Sequence, residues 1–260
     1  MADNGSIDET PNLLAKWGAL SDARSVVHVP ERGKARAINA AIAASKGELL
    51  AFIDDDVRVA PDWLEEIWRY FEQHDVVAAQ GAVEWPPEVE ADPALQQELE
   101  KFGTVVRVAP DPSASNQRLT GANMVLRRQA FNVVGGFDER LGPGAAGTGE
   151  DTELGERLVR VGGRIGFIEN ARVVHEIDRA RLTEGFFAEH HRRLGRSRFT
   201  YKKNGVLSSI LPNLALSAFR FCFYSVTGNQ KEKYRAKGRL YHYGVMLDLR
   251  RQAGRATPPR

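Results

Sequence analysis

At 260 residues with 42% hydrophobic content, the chain is long enough to bury one sizeable core with an appendage, and nothing in its composition points to disorder. Its one cysteine, Cys222, excludes an intrachain disulfide and a cysteine-held zinc, so a reducing compartment fits best. The net charge of +2 conceals a division: residues 1–171 carry 17 Lys+Arg against 28 Asp+Glu, and residues 172–260 carry 19 against 6. An acidic body is a poor partner for nucleic acid but can hold a divalent cation, while a basic tail suits phosphate-bearing surfaces. No charged-then-apolar signal segment opens the chain, and no run reaches the roughly 20 uninterrupted apolar residues of a bilayer span. Secretion and membrane spanning are therefore disfavoured, and a cytoplasmic protein is expected.

In chain order, residues 3–177 alternate helical periodicity with short apolar runs, the pattern of an α/β protein with a mostly parallel sheet flanked by helices. Helices are expected at 9–20, 34–45, 61–74 and 151–161, with Pro61 as a first helical residue whose missing N–H costs nothing there. Strands are expected at 25–29, 48–53, 76–80, 119–126 and 164–168, and a further short apolar strand at 172–174. Pro86, Pro87, Pro110 and Pro112 mark loops. Beyond Asp178 the texture becomes helical and basic. Arg192, Arg193, Arg196, Arg198, Lys202 and Lys203 precede the apolar stretch 206–227, and Lys231, Lys233, Arg235, Lys237 and Arg239 follow it. The expected division is a catalytic body at 1–178 and a helical basic extension at 179–260. Basic clusters on both sides of an apolar stretch interrupted by Pro212, Asn213 and Arg220 suit an interfacial helix on an anionic membrane; an amphipathic helix packed on the body is the alternative.

Three constellations carry chemistry. Asp54-Asp55-Asp56 directly follows the apolar run 49–53, at the strand end where open α/β sheets collect ligands. Three adjacent carboxylates repel one another, and Mg²⁺ or Mn²⁺ relieves that repulsion by taking their oxygens; a solvated turn is the plain alternative. Gly33-Lys34-Ala35-Arg36-Ala37-Ile38-Asn39 sits at a loop-to-helix junction, where backbone N–H groups with Lys34 and Arg36 attract phosphate. Gly149-Glu150-Asp151 follows the glycine-rich run 142–148 and opens a helix. Acidic residues there suit the helix dipole, and a carboxylate beside a closing loop also suits a general base. His175, ending the strand 172–174, is a structural residue or a metal ligand.

Taken together, these segments resemble the family 2 glycosyltransferases, inverting enzymes of the GT-A fold. The likeness runs through Asp3-Asn4-Gly5-Ser6-Ile7-Asp8-Glu9-Thr10, the Gly33 to Asn39 segment, Phe52-Ile53-Asp54-Asp55-Asp56 as a DxD motif, Gly121-Ala122-Asn123-Met124-Val125-Leu126-Arg127-Arg128, Gly135-Gly136-Phe137-Asp138-Glu139 and Gly149-Glu150-Asp151, in the family's order over residues 1–178. The resemblance implies a nucleotide-diphosphate sugar as donor and a glycan, lipid-linked or small-molecule hydroxyl as acceptor. It makes Asp151 the base, Asp56 the metal carboxylate and His175 a further metal contact. Asp54 becomes a nucleoside contact, with Asp55 beside it on the donor side, Asp3 a nucleobase or ribose contact, and Lys34 and Arg36 the lining of the nucleotide site. It also implies a strand-helix unit ahead of the Asp3 motif, so the chain is expected to lack the first βα unit and to be impaired as a catalyst. Two other readings share these residues. Phe52-Ile53-Asp54-Asp55-Asp56-Val57 resembles the nucleophile motif of haloacid-dehalogenase-like phosphatases, and a transferase-like domain that only binds has the same motifs without turnover.

Overall fold

The computed structural model describes residues 1–103, 107–202 and 204–255. Lys203, part of the basic cluster, lies outside them. The described chain divides into two compact units, residues 1–84 with 108–174, and residues 85–107 with 175–260.

The first unit holds β1 (Ala2–Asp3), α1 (Thr10–Gly18), β2 (Val27–His28), α2 (Lys34–Ala44), β3 (Leu49–Ile53), β4 (Val57–Val59), α3 (Trp63–Gln73), β5 (Ala78–Glu84), β6 (Asn123–Arg127), α6 (Arg128–Val134), α7 (Glu150–Arg160) and β7 (Ile165–His175), whose last residue belongs to the second unit. Two more helices, α4 (Pro87–Glu90) and α5 (Pro93–Phe102), come between β5 and β6 in sequence and belong to the second unit. β1 and β2 pair in parallel as a separate two-stranded sheet, and the main sheet has the order β3-β6-β5-β7-β4. β6 runs antiparallel to both β3 and β5, and β5 runs parallel to β7. β3, β5 and β7 therefore share one direction, and β6 is the reversed strand among them. The 172–174 strand is the end of a single β7 rather than a separate element, because its residues continue the β5 register through Val83↔Val173 and Glu84↔Val174 after an irregularity.

Apolar spacing decides the helix faces. α3 buries Trp63, Ile67 and Phe71, spaced by four, and leaves Glu65 of its first turn exposed. Pro61 is not its first helical residue: Asp62 is the N-cap and Trp63 starts the helix. The core gathers Ala35, Ala78, Met124, Leu126, Phe137, Leu154, Leu158 and Ile165; fully burying one large aliphatic or aromatic side chain is worth about 1.5–3 kcal/mol.

A polar network runs through the centre of this sheet. Asn123, fully buried, donates from Nδ2 to the carbonyls of Ala82 at 2.9 Å and Ala171 at 2.7 Å and accepts from the Trp63 indole at 3.0 Å. Gln80 donates to the Gly81 and Asn123 carbonyls at 2.9 and 2.8 Å and accepts from the Thr120 N–H at 2.7 Å. Fully satisfied buried polar groups fix register, because slippage would strand each of them unpaired. Gly81 leaves the room: a Cβ there would lie 2.2 Å from Asn123 Nδ2 and 2.7 Å from the Ala171 carbonyl oxygen. Gly81→Ala is expected to destabilise the unit by roughly 3 kcal/mol or more. Urea denaturation checks this, and a midpoint equal to wild type would refute it.

The second unit takes residues 85–107 together with the 3-10 turn Arg179–Arg181, α8 (Glu184–Tyr201), the π turn Val206–Ile210, α9 (Leu211–Thr227) and α10 (Gln230–Arg255). The proline-rich segment expected as loop thus carries α4 and α5. Asp92 caps α5 by accepting from the Ala94 and Leu95 N–H groups, Pro93 opens it and left-handed Gly103 closes it. Leu95 and Leu99 pack with Val89, Ile177 and Leu182, and Phe102 packs with Phe187 and Tyr234. These contacts explain why residues 85–107 join the C-terminal helices. By length and mean hydropathy of 1.5, Val206–Thr227 could cross a membrane, although Pro212, Asn213 and Arg220 break the apolar run.

α8 and α10 cross closely at two glycines. A Cβ on Gly195 would meet the His242 carbonyl oxygen at 2.5 Å, and one on Gly238 the His191 ring at 2.3 Å. Burial pulls His191 and His242 down to about 4, helped by the charge of His190 on the first and of Arg198 and Arg239 on the second. The unfolded state therefore binds more protons between the unfolded value near 6.5 and about 4, and the stability present above pH 6.5 is lost as pH falls. The helical unit is expected to weaken by about 1–2 kcal/mol per histidine on going from pH 7.5 to 5. Thermal melts followed by circular dichroism should show a falling Tm, and His191→Gln should flatten the dependence.

Candidate active site

The register of β3 against β6 builds the site. Ile53 lies opposite Asn123 in an antiparallel pair, so the next residue of one strand, Asp54, and the preceding residues of the other, Gly121 and Ala122, meet at the same sheet edge. Three polar groups gather at Gly121. A Cβ built on it would lie 3.5 Å from Lys34 Nζ, 3.6 Å from Asp54 Oδ1 and 3.9 Å from Asp151 Oδ2. A small cavity here has Ile38, Phe52, Ile53, Met124 and Phe137 as its apolar lining and Lys34, Asp54, Glu150 and Asp151 as its charged one.

Each charged group is held by its element. Lys34 is the first residue of α2, and its N–H donates to the Pro143 carbonyl at 2.9 Å. Its ammonium donates to Asp54 Oδ1 at 2.7 Å and lies 3.7 Å from Glu150 Oε1. Burial pulls the Lys34 pKa down, but Asp54, Glu150 and Asp151 outweigh it and the net shift is upward. Glu150 and Asp151 open α7 after left-handed Gly149. Burial, then the neighbouring Asp151 charge, pushes the Glu150 carboxyl above the usual range. Asp151 accepts from the Gly121 N–H at 2.9 Å through Oδ2 and from the Thr152 N–H at 2.6 Å through Oδ1. The glycine-rich run before α7 is folded onto the helix start. Gly147 N–H donates to the Gly142 carbonyl at 2.9 Å, and a Cβ on Gly144 would approach the Gly33 backbone to 3.0 Å.

The remaining expected residues are held in different ways. Asp55 is exposed and Asp56 half-buried, both in the turn between β3 and β4. Arg36 turns its guanidinium to Glu31 and to Glu139, the latter at 3.0 Å, so it clips α2 to the Gly135–Glu139 turn in this structure. Asp3 is buried at the end of β1; its Oδ1 accepts from the Ser6 N–H at 3.1 Å and its Oδ2 from the His28 ring at 2.7 Å. Those bonds, Ser6 foremost, hold its carboxyl below the usual range. His175 is buried at the end of β7, and its Nδ1 donates to the Glu176 carbonyl at 2.8 Å, the tautomer that puts the lone pair on Nε2. Among the described residues no three His, Cys, Asp or Glu side chains come together as a ready-made metal site. The carboxylates still fit Mg²⁺ or Mn²⁺, because these hard ions take one or two protein oxygens and fill the rest from phosphate and water. Asn39 carries a function that spacing alone did not single out. Its Nδ2 donates to the Phe137 carbonyl at 2.9 Å and its Oδ1 accepts from the Phe137 N–H at 2.8 Å, holding the turn that seats Phe137 in the cavity.

Comparison with known proteins agrees with this geometry. Residues 1–135 match the family model described as Glycosyl transferase family 2, which ends before Glu150 and Asp151. The Pre-mycofactocin glycosyltransferase of Mycobacterium tuberculosis is 31% identical over 163 residues, covering 61% of this chain and 33% of that protein. Succinoglycan biosynthesis protein ExoM of Rhizobium meliloti is 26% identical over 235 residues, 86% of this chain and 72% of that protein. A mannosyltransferase from Pyrobaculum calidifontis, solved with GDP-Man and Mn²⁺, superposes with a TM-score of 0.53 at 16% identity, covering 99% of this chain and 66% of that one. The chain thus spans about a third of the length of the mycobacterial relative, and the fold is the GT-A fold. The phosphatase likeness of residues 52–57 extends to none of these matches. On the family model over residues 1–135, the chain belongs to glycosyltransferase family 2.

Proposed function

We propose that the protein transfers a sugar from a nucleotide-diphosphate sugar to an acceptor hydroxyl, with inversion and with Mg²⁺ or Mn²⁺. The observation that carries this reading is the convergence of Lys34, Asp54 and Asp151 around Gly121 on one cavity. In the proposed reaction the acceptor oxygen attacks the anomeric carbon, its bond to the diphosphate breaks, and the nucleoside diphosphate leaves with the electron pair. Asp151 takes the acceptor proton, oriented by the Gly121 N–H. Lys34 supplies a fixed positive charge toward the diphosphate. Asp56, with His175 as a further contact, would hold the metal, which when bound neutralises charge on the leaving phosphates. Asp54 and Asp55 belong to the nucleoside side of the same reading, with Asp3 and Arg36 at its margin. We place the reaction on the cytoplasmic side, with the protein peripheral to an anionic membrane.

The test is a screen of nucleotide sugars for Mn²⁺-dependent turnover, with calorimetry of the nucleoside diphosphates in parallel. Turnover of at least one donor, lost with chelator, is expected. Binding without turnover of any donor would favour the binding-domain reading, and neither binding nor turnover would reject the proposal.

A further inference from the structure

The helices of the second unit carry an apolar face that the transfer reaction does not use. α9 turns Ser217, and the π turn before it Ile210, into the protein, while Leu207, Leu216, Phe219, Phe223 and Val226 stay exposed at spacings of three, four and nine residues. Phe219 is 67% and Phe223 51% exposed, with their rings stacked 6.2 Å apart. Between 206 and 227 the only charge is Arg220. A continuous apolar helix face of this size costs solubility unless something covers it. The surrounding charge selects the cover: residues 192–239 contain twelve lysine and arginine residues and a single acid, Glu232. Although Arg192, Arg193 and Arg196 share Glu189, Lys231 meets Glu100 and Lys237 meets Glu184, the excess stays strongly positive, which suits an anionic surface and opposes a second copy of the same basic unit.

The orientation follows from α10. It lies antiparallel along α9, with Arg250 donating to the Asn204 carbonyl at 3.2 Å near one end and Lys233 5.8 Å over the Phe221 ring toward the other. α10 carries Lys231, Lys233, Arg235, Lys237 and Arg239 in its first half and Asp248, Arg250 and Arg251 near its end. Were α9 to cross the bilayer, this charged helix would be drawn into hydrocarbon beside it, where each unpaired charge is strongly disfavoured. We infer that the α9–α10 hairpin lies in the plane of an anionic bilayer, with the Leu216, Phe219, Phe223 and Val226 face among the acyl chains and the basic residues at the headgroups. This deepens the peripheral location proposed above and is independent of sugar transfer.

The experiment is flotation of the whole protein with phosphatidylcholine vesicles and with vesicles that also contain phosphatidylglycerol. Association is expected with the anionic vesicles at low salt, reduced by salt and released by alkaline carbonate, which strips surface proteins. Phe219→Glu with Phe223→Glu alters two exposed side chains and is expected to reduce binding at least about tenfold, through lost apolar insertion and added repulsion. Nucleotide binding by the same variant should be unchanged, which separates failure of this inference from failure of the transfer reading. Absence of flotation, a double variant that floats like wild type, or retention through carbonate would each overturn it. Self-association abolished by the double variant, with no vesicle binding, would instead assign the face to a second copy.

Discussion

Asp151→Asn is expected to lower the transfer rate by roughly 100-fold or more while leaving donor affinity intact, the usual scale for removing a positioned general base. The substitution is isosteric. An asparagine Oδ1 can still accept from the Gly121 N–H that now donates to Asp151 at 2.9 Å, giving up only the local bond from the Thr152 N–H, so α7 should keep its place against β6. What disappears is the basicity that receives the acceptor proton. Glu150 cannot easily replace it, because it is buried and faces Gly142, where a Cβ would lie 3.1 Å from Glu150 Cδ. Removing the Asp151 charge also removes one upward push on Glu150, so a pH profile of the residual rate should move toward lower pH if Glu150 contributes at all. Steady-state kinetics against donor and acceptor decide the matter. An unchanged kcat in a variant with wild-type circular dichroism would place the base elsewhere.

Much of the first unit was legible in the sequence because its elements are long enough to show a period. The 34–45 and 151–161 helices and the 48–53 strand lie within a residue or two of α2, α7 and β3. β1 is two residues long and β4 three, too short for alternation to show. α5 was hidden by its prolines, although Asp92-Pro93 is a helix start as surely as a loop marker, because an N-cap aspartate and a proline at the first position are both favoured there. The division of the chain could not be read from local pattern, since the Phe102 contacts with Phe187 and Tyr234 join segments far apart in sequence.

The site divides along the same line. Asp54, Lys34 and Asp151 stand out by position at a strand end and at helix starts, but their meeting at Gly121 depends on the β3–β6 register, a long-range fact. Arg36 and Asp3 show the limit of residue type as a guide. Both are chemically fit for a nucleotide, and both are engaged by neighbouring protein groups, Glu31 and Glu139 in one case, Ser6 and His28 in the other. A ligand would have to compete with those partners.

Asp56→Ala is expected to weaken Mn²⁺-dependent binding of a nucleoside diphosphate by about 100-fold or more, since losing a direct carboxylate ligand should cost at least as much as the roughly 10–100-fold of losing a group that only supports one. The protein can offer the ion little otherwise. Asp54 Oδ1 is already occupied by the Lys34 ammonium at 2.7 Å, and a cation approaching it meets that fixed positive charge. Asp55 is exposed, where water screens its attraction and its side chain must be ordered to bind. Asp56 is half-buried in the same turn, where a carboxylate is partly shielded from water and its attraction for the ion is screened less. Lys34 should still attract the diphosphate without metal, so the variant is expected to retain a weak affinity that no longer responds to Mn²⁺ or chelator. Asp55→Ala, which removes the same charge from the adjacent exposed position, should cost less than about tenfold. Calorimetry of nucleoside diphosphate with and without Mn²⁺ on the three proteins reads all of this directly. If Asp56→Ala keeps full Mn²⁺-dependent affinity while Asp55→Ala loses it, the metal carboxylate is Asp55 and the half-buried position serves only the turn.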